Sequence, residues 1–139
     1  ETVNERGVFA PLDAVEVGEI EARGEEFKET GLKAIREGKV GAVLLAGGQG
    51  TRLGLDRPKG TLNIGIDREL YLFEQLLRNL MDVTDEAGVY VPLYIMTSNI
   101  NHADTTAFFK EHDYFGYPKD YRSSAASDVY KRQGNGAGM

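Results

Sequence analysis

The feature that most constrains this chain is a short apolar run that leads directly into a glycine-rich loop. Residues 40–46 read VGAVLLA, and residues 47–60 read GGQGTRLGLDRPKG. A short apolar run before a glycine-rich turn predicts a buried β-strand. Glycine permits a positive φ and lets a ligand approach without a Cβ in the way. Because two arginines and a lysine share the loop, we predict an anionic ligand, and a triphosphate fits best.

Helix and strand patterns alternate along the rest of the chain. Residues 20–37 and 70–82 carry apolar side chains at helical spacing, and residues 91–97 read as a second short strand. Turn chemistry near Asn101 predicts the start of another helix. We therefore expect the order helix, strand, loop, helix, strand, helix.

This order predicts an α/β fold of Rossmann-like type, in which a mainly parallel sheet is flanked by helices. In sheets of this kind, ligands bind beyond the carboxyl ends of the strands. Ala46 and Thr97 both fall at such ends. The fold prediction therefore places both residues at the ligand-binding edge.

The chain divides into three predicted parts. Residues 1–39 form an amino-terminal helical lead-in, residues 40–122 a partial nucleotide-binding domain, and residues 123–139 an artefactual or disordered tail. The stretch SSAASDVYKRQ at 123–133 can be encoded by a DNA string that resembles the transposase adapter of sequencing libraries. Small polar residues also form flexible linkers. On either interpretation, the tail is left out of the fold prediction.

Composition excludes several classes of function. The chain has 139 residues, a net charge of −6 and no cysteine. A negative net charge disfavours broad binding to nucleic acid, and the lack of cysteine excludes disulfides and thiolate metal sites. The apolar run before the loop is too short to span a membrane, and no signal peptide is visible. We expect a cytoplasmic protein without nucleic-acid or membrane partners; the oligomeric state stays open.

Two known phosphate-binding patterns fail at the loop. A Walker A loop ends in Gly-Lys followed by Ser or Thr, whereas residues 59–61 read Lys-Gly-Thr. The dinucleotide pattern G-x-G-x-x-G begins correctly at Gly48 and Gly50, but Leu53 stands where its third glycine belongs. A non-catalytic nucleotide- or dinucleotide-binding module remains the alternative. A purely structural glycine turn is disfavoured, because such turns seldom need arginine, proline and lysine as well.

The loop closely resembles the signature L-x-x-G-G-x-G-T-R-L-G-x-x-x-P-K-G of the UDP-sugar pyrophosphorylases, which are UTP–sugar-1-phosphate uridylyltransferases. Every fixed position of that signature is present in LLAGGQGTRLGLDRPKG. The stretches GLKAIREGKVGAVLLAGG and IMTSNINHADTTAFFKEHDYFGYPKDY are similar to the lead-in and the second strand and helix of the UDP-N-acetylhexosamine pyrophosphorylase branch. Whole family members are longer, so the resemblance implies that this chain is an amino-terminal fragment with part of a nucleotidyltransferase fold.

The resemblance implies a reaction as well as a fold. A hexose or N-acetylhexosamine 1-phosphate attacks the α-phosphorus of UTP, and pyrophosphate leaves. Two catalytic side chains are implied: Arg52 stabilises the departing pyrophosphate and Lys59 holds the α-phosphate. The implied nucleotide-binding residues are Leu45, Ala46, Gly47, Gly48, Gly50, Thr51, Met96, Thr97 and Ser98. Magnesium is the implied cofactor, with its protein ligand expected downstream, and the fragment alone is expected to be inactive.

Two histidines lie near predicted helix ends. For His102 and His112, a solvated or capping role is the favoured interpretation. The aromatic residues nearby are expected to pack in the core, because the chain lacks the basic groove that base stacking requires. None of these side chains is assigned to the site.

Overall fold

A computed structural model describes residue 7 and residues 10–127 of the chain. The chain divides into two compact units between Gly31 and Leu32. The helices and strands, in chain order, are α1 (Val17–Ala22), α2 (Gly24–Arg36), β1 (Ala42–Leu45), α3 (Leu72–Ala87), β2 (Leu93–Ser98), α4 (His102–Glu111) and β3 (Arg122–Ser127). Short 3-10 turns at Thr51–Leu53 and Lys59–Thr61 shape the glycine loop.

The three strands form one parallel sheet in the order β1-β2-β3. Leu45 is paired with Met96, and Met96 is paired in turn with Ala125. Strands β1 and β2 therefore end side by side, and the glycine loop leaves the sheet at that edge. The predicted α/β class with a parallel sheet and flanking helices is confirmed.

The core lies on one face of the sheet, beneath α3 and α4. Its buried side chains include Phe73 and Leu77 of α3, Leu93 and Ile95 of β2, and Phe109 of α4. Successive strand residues point to opposite faces. The face opposite the core consequently exposes apolar side chains. No helix in the described part of the chain is long and apolar enough to cross a membrane.

Two predicted helices have different bounds from those that the sequence suggested. The helix predicted at 20–37 is interrupted at Arg23, whose φ of −114° lies outside the helical range. Gly24 follows at once, and glycine is a poor helix former. The helix predicted at 70–82 runs on to Ala87, and Gly88 ends it in a left-handed conformation with φ +75°.

A third strand follows the point where the sequence predicted no regular structure. Residues 122–127 form β3, although the tail was expected to be artefactual or disordered from residue 123. Pairing with β2 uses backbone groups and needs no apolar side chain, and side chains 123–126 are exposed. The adapter-like origin of residues 123–133 stays a prediction, and residues 128–139 lie outside the described residues.

Candidate functional site

Backbone hydrogen bonds close the glycine loop at its base. The Lys59 N–H donates to the Gly48 carbonyl at 3.1 Å, and the Gly50 N–H donates to the Arg57 carbonyl at 3.1 Å. Pro58, which is fully buried, lies between these bonds and pairs with Gln49. The loop is thus a closed, preformed turn beyond the end of β1. Gly50 is a predicted nucleotide-binding residue, but its N–H is already bonded to the Arg57 carbonyl. In this conformation Gly50 therefore shapes the loop and does not offer its N–H to a ligand.

The loop glycines meet different surroundings. A Cβ on Gly50 would lie 2.6 Å from the Cβ of Leu55, and a Cβ on Gly60 would lie 2.0 Å from the Phe73 ring. Both positions need glycine because neighbouring atoms occupy the space of a side chain. A Cβ on Gly48 would have no neighbour within 4 Å. The bare backbone of Gly48 is therefore not required by packing in the described structure.

A cavity of about 220 Å³ opens between the end of β1, the base of the loop and the first turn of α3. Four predicted site residues line it: Leu45, Ala46, Gly48 and Lys59. Small-molecule sites usually measure about 300–1,000 Å³, so this cavity has room for only part of a drug-sized ligand. Thr51 and Arg52 lie outside it, in an exposed 3-10 turn of the loop.

Three cationic side chains lie exposed on the loop. None of Arg52, Arg57 and Lys59 forms a salt bridge within the described part of the chain. An unpaired guanidinium offers several fixed donors to phosphate, and an unpaired ammonium offers a compact charge. The two predicted catalytic side chains are thus free to bind an anion.

The predicted site residues on β2, which are Met96, Thr97 and Ser98, hold the end of β1 in place. The Ala46 N–H donates to the Met96 carbonyl at 2.7 Å, which holds the end of β1 against β2. Thr97 and Ser98 are almost completely buried. Thr97 Oγ1 lies 2.6 Å from Nδ1 of His102 and donates to a backbone carbonyl of β3. The Thr97 hydroxyl is therefore engaged inside the protein.

Asn101 is a site residue that the sequence indicated only as a possible helix cap. Its side chain is fully buried, and its Nδ2 donates to the Ala46 carbonyl at 3.0 Å. Its Oδ1 accepts from the Ser98 N–H at 3.0 Å and from Ser98 Oγ at 2.9 Å. A Cβ built on Gly47, which follows Ala46, would lie 3.6 Å from the Cβ of Ser98, an ordinary contact distance. One amide therefore joins the ends of β1 and β2 where the loop begins.

His102 has another role than the sequence suggested, whereas His112 takes the predicted capping position at the end of α4. His102 is half-buried and bonded to Thr97, and it does not cap a helix. His112 packs among aromatic rings, with centroids 4.8 Å from Tyr71 and 4.4 Å from Phe108, and its Nδ1 is 2.9 Å from the Phe108 carbonyl. A solvated role is therefore wrong for both, because neighbouring groups partly cover the rings. The capping role is confirmed for His112, which ends α4 and contacts a carbonyl of its last turn.

Glu74 fixes the first turn of α3 beside the cavity and is only 7% exposed. Burial by itself would raise the pKa of this carboxyl. Hydrogen bonds from Arg78 at 2.7 and 2.9 Å and from the Tyr71 N–H at 3.4 Å oppose burial and lower the pKa below its usual value. The carboxylate is thus ionised at neutral pH and anchors the start of the helix.

The described residues do not fit a magnesium site held by the protein. No group of three or more His, Asp or Glu side chains that could hold a metal ion occurs among them. Asp56 and Asp67, the acids nearest the loop motif, are both exposed. A magnesium cofactor therefore stays a prediction, and no chemical step below depends on it.

Comparison with known proteins places these residues in a family. The profile of the UTP–glucose-1-phosphate uridylyltransferase family matches residues 10–122, and so ends one residue before the adapter-like stretch. The chain is 46% identical over 99 residues to the UDP-N-acetylglucosamine pyrophosphorylase of Saccharomyces cerevisiae, covering 68% of this chain and 20% of that protein. It is 41% identical over 131 residues to UDP-N-acetylglucosamine diphosphorylase 2 of Arabidopsis thaliana, covering 79% and 26%.

A solved structure supports the same assignment. The uridine diphosphate N-acetylglucosamine pyrophosphorylase from Trypanosoma brucei, crystallised with an inhibitor, superposes with a TM-score of 0.65 at 32% identity. The match covers 80% of this chain and 24% of that one. The chain thus spans about a fifth to a quarter of the length of these three relatives. It belongs to the UTP–glucose-1-phosphate uridylyltransferase family, which confirms its resemblance to the UDP-sugar pyrophosphorylases.

Proposed function

We propose that this chain is the nucleotide-binding part of a uridylyltransferase that transfers UMP from UTP to a sugar 1-phosphate and releases pyrophosphate. The observation that carries this proposal is the closed glycine loop, whose base lines a cavity. The loop carries two signature cations, Arg52 and Lys59, that form no salt bridge with any described residue. The names of the relatives favour an N-acetylhexosamine 1-phosphate over a hexose 1-phosphate as the acceptor.

The cavity suits the nucleoside end of UTP. Leu45, Ala46 and Gly48 line it, and Gly47 lies between them in the chain. We assign the backbone of these four residues to the uridine. Met96, Thr97 and Ser98 then support the pocket from β2, since the Thr97 and Ser98 side chains are buried. A cavity of about 220 Å³ leaves the triphosphate outside, toward the charged part of the loop.

The chemistry needs positioning and charge more than covalent help. An oxygen of the sugar 1-phosphate forms a bond to the α-phosphorus, the bond to the bridging oxygen breaks, and pyrophosphate leaves with the electron pair. Such in-line displacement is catalysed mainly by orientation and electrostatic stabilisation. Lys59 is assigned to the α-phosphate, whereas Thr51 and Arg52 are assigned to the leaving pyrophosphate.

The 139-residue chain is proposed to bind UTP without completing the transfer. The family relatives are several times longer, and no sugar pocket is assigned to the described residues. The magnesium cofactor and the cytoplasmic location remain predictions. UTP binding by the 139-residue chain is therefore the measurement that tests the proposed function directly.

The test is a titration of the purified chain with UTP. Arg52→Ala and Lys59→Ala are each expected to weaken UTP binding about 10- to 100-fold, because a hydrogen bond to a charged group contributes about 1.5–3 kcal/mol. Lys110→Ala is the matched control, since Lys110 is an exposed cation on α4 outside the cavity lining. It should leave UTP binding unchanged.

Two results would contradict the proposal. If both loop variants bind UTP as tightly as the wild type, the loop cations do not contact the phosphates. If the chain binds NAD more tightly than UTP, the dinucleotide-binding alternative is the better description.

A further inference from the structure

A side chain interrupts the hydrogen-bond ladder between β1 and β2 at their carboxyl ends. The last ladder bond runs from the Ala46 N–H to the Met96 carbonyl at 2.7 Å. In a parallel pair the next bond would join the Ser98 N–H to the Ala46 carbonyl. Instead, the Ser98 N–H donates to Asn101 Oδ1 at 3.0 Å, and Asn101 Nδ2 donates to the Ala46 carbonyl at 3.0 Å. The amide of Asn101 thus replaces one direct bond between the strands.

The orientation of this amide is determined by its partners. Oδ1 accepts from two donors of Ser98, the backbone N–H and Oγ, while Nδ2 faces the Ala46 carbonyl. In the reverse orientation, Nδ2 would face the Ser98 N–H and Oδ1 would face the Ala46 carbonyl oxygen, so neither bond could form. Asn101 and Ala46 are both buried, so water does not compete for these bonds. The bridge is therefore a fixed part of the strand ends.

The bridge also sets the direction of the next backbone donor. In a trans peptide the C=O and the N–H point in opposite directions. Because the Ala46 carbonyl is directed at Asn101, the Gly47 N–H is directed away from β2. No backbone carbonyl in the described part of the chain accepts this N–H. It is free to donate to a ligand at the predicted nucleotide-binding edge.

We infer that Asn101 is a positioning residue for UTP. Its side-chain amide bridges the ends of β1 and β2, and this bridge orients the Gly47 N–H toward the nucleotide. This inference rests on the proposed function, since it concerns the same site. Asn101 itself does not touch the ligand. Its effect is carried by the Ala46–Gly47 peptide.

The experiment compares variants of the isotope-labelled 139-residue chain by NMR during a UTP titration. Asn101→Ala removes both bonds to the strands, and Asn101→Asp keeps an acceptor for Ser98 but loses the donor to Ala46. Thr105→Val is the matched control, because Thr105 lies on α4, is fully buried like Asn101, and has a hydroxyl without a hydrogen-bond partner among the described residues. Its removal leaves the bridge intact.

Both Asn101 variants should bind UTP at least tenfold more weakly than the wild type, and the Gly47 amide resonance should shift before any ligand is added. Thr105→Val should bind UTP within twofold of the wild type and leave that resonance in place. The Gly47 resonance responds to the peptide orientation, so it separates positioning from general destabilisation. If either Asn101 variant fails to fold, the other carries the test.

The outcomes distinguish this inference from the proposed function. If the wild type binds UTP, the Arg52 and Lys59 variants lose binding and the folded Asn101 variants bind within twofold, only the positioning role is overturned. Failure of both Asn101 variants to fold while Thr105→Val folds normally would also overturn it, since Asn101 would then be needed for folding. If the wild type does not bind UTP, the proposed function is overturned, and the positioning role with it.

Discussion

A single carboxylate fixes the start of the helix that lines the cavity. Glu74 lies one position after Phe73, whose ring packs against Gly60 at the end of the glycine loop. Its two oxygens accept from the Tyr71 N–H and from the Arg78 side chain, which ties the first turn of α3 together. The position of Phe73 beside the loop therefore depends on an ionised side chain.

Replacing Glu74 with Gln should destabilise the protein in a pH-dependent way. The folded state lowers the pKa of this carboxyl, so its contribution to stability is present above the pKa of the unfolded chain and is lost as pH falls through the folded-state pKa. At pH 7 we expect the free energy of unfolding to fall by about 1 kcal/mol, a modest value because Arg78 is half exposed and solvent screens the pair.

Urea unfolding between pH 3 and pH 7 measures this effect. The curves of Glu74→Gln and the wild type should converge as pH falls through the lowered pKa of Glu74 in the folded state. Asp82→Asn, at an exposed position on the same helix, removes one negative charge without disturbing the first turn and serves as the control. A difference between Glu74→Gln and the wild type that is equally large at both ends of the pH range would contradict the assignment.

The sequence could not indicate the role of Asn101. Its local context, a polar residue before a helical pattern, is typical of a helix cap. The bond to Ala46 joins residues 55 positions apart and arises only when β1 and β2 are paired. Local patterns do not contain such a contact, and the same holds for the packing of His112 against Tyr71.

At the scale of elements, we expect some glycines of the loop to be required for folding and others to be required for ligand binding. Gly60→Ala should lower the free energy of unfolding by about 1–3 kcal/mol, because the new Cβ would lie 2.0 Å from the buried Phe73 ring. Gly48→Ala should change it by less than about 0.5 kcal/mol, because a Cβ there has no neighbour within 4 Å. The same variant should weaken UTP binding, since Gly48 lines the cavity assigned to the nucleotide.

Thermal unfolding and UTP titration of both variants check this division. Gly60→Ala should affect stability, and Gly48→Ala should affect binding at normal stability. If Gly48→Ala instead unfolds the protein, Gly48 is required for folding and not for ligand binding alone. If it leaves UTP binding unchanged, the nucleotide does not approach the loop at that position.

Most helices and strands could be predicted from the sequence, because the signals for them lie within short stretches of the chain. Strand β1, the loop and α4 follow from apolar periodicity and turn residues over short windows. The break at Arg23 was missed because helical periodicity continues across it while the backbone departs from helical angles. The engagement of the Gly50 N–H with Arg57 was also missed, because a sequence pattern shows that glycines are present without showing which amides are already bonded.

At the scale of the whole molecule, the sheet is covered unevenly. Its core face is packed beneath α3 and α4, whereas Val43 and Leu45 on the other face are 62% and 70% exposed. Strand β3 adds little to either face, because side chains 123–126 are exposed serines and alanines. Its contribution to stability is therefore mainly the backbone pairing with β2.

A chain that ends at Arg122 should keep the fold and the site. Arg122 itself packs over the Tyr114 ring at 3.5 Å and donates to the Tyr117 carbonyl at 3.0 Å, so the cut falls after the last side chain that is packed among the described residues. Losing β3 exposes one edge of β2, whose backbone groups then bond to water. We expect the free energy of unfolding to fall by about 1–2 kcal/mol and UTP affinity to stay within twofold.

Comparing the shortened chain with the full chain by thermal unfolding and UTP titration tests whether residues 123–139 belong to the working structure. Among the described residues, the side-chain bond lost at the site is that from Thr97 Oγ1 to the Ala125 carbonyl, and His102 remains as a partner for that hydroxyl. A shortened chain that no longer folds, or that loses UTP binding more than tenfold, would show that β3 is an integral strand. Retention of both properties would mean that the site depends on the part of the chain that the family profile matches, which ends at residue 122.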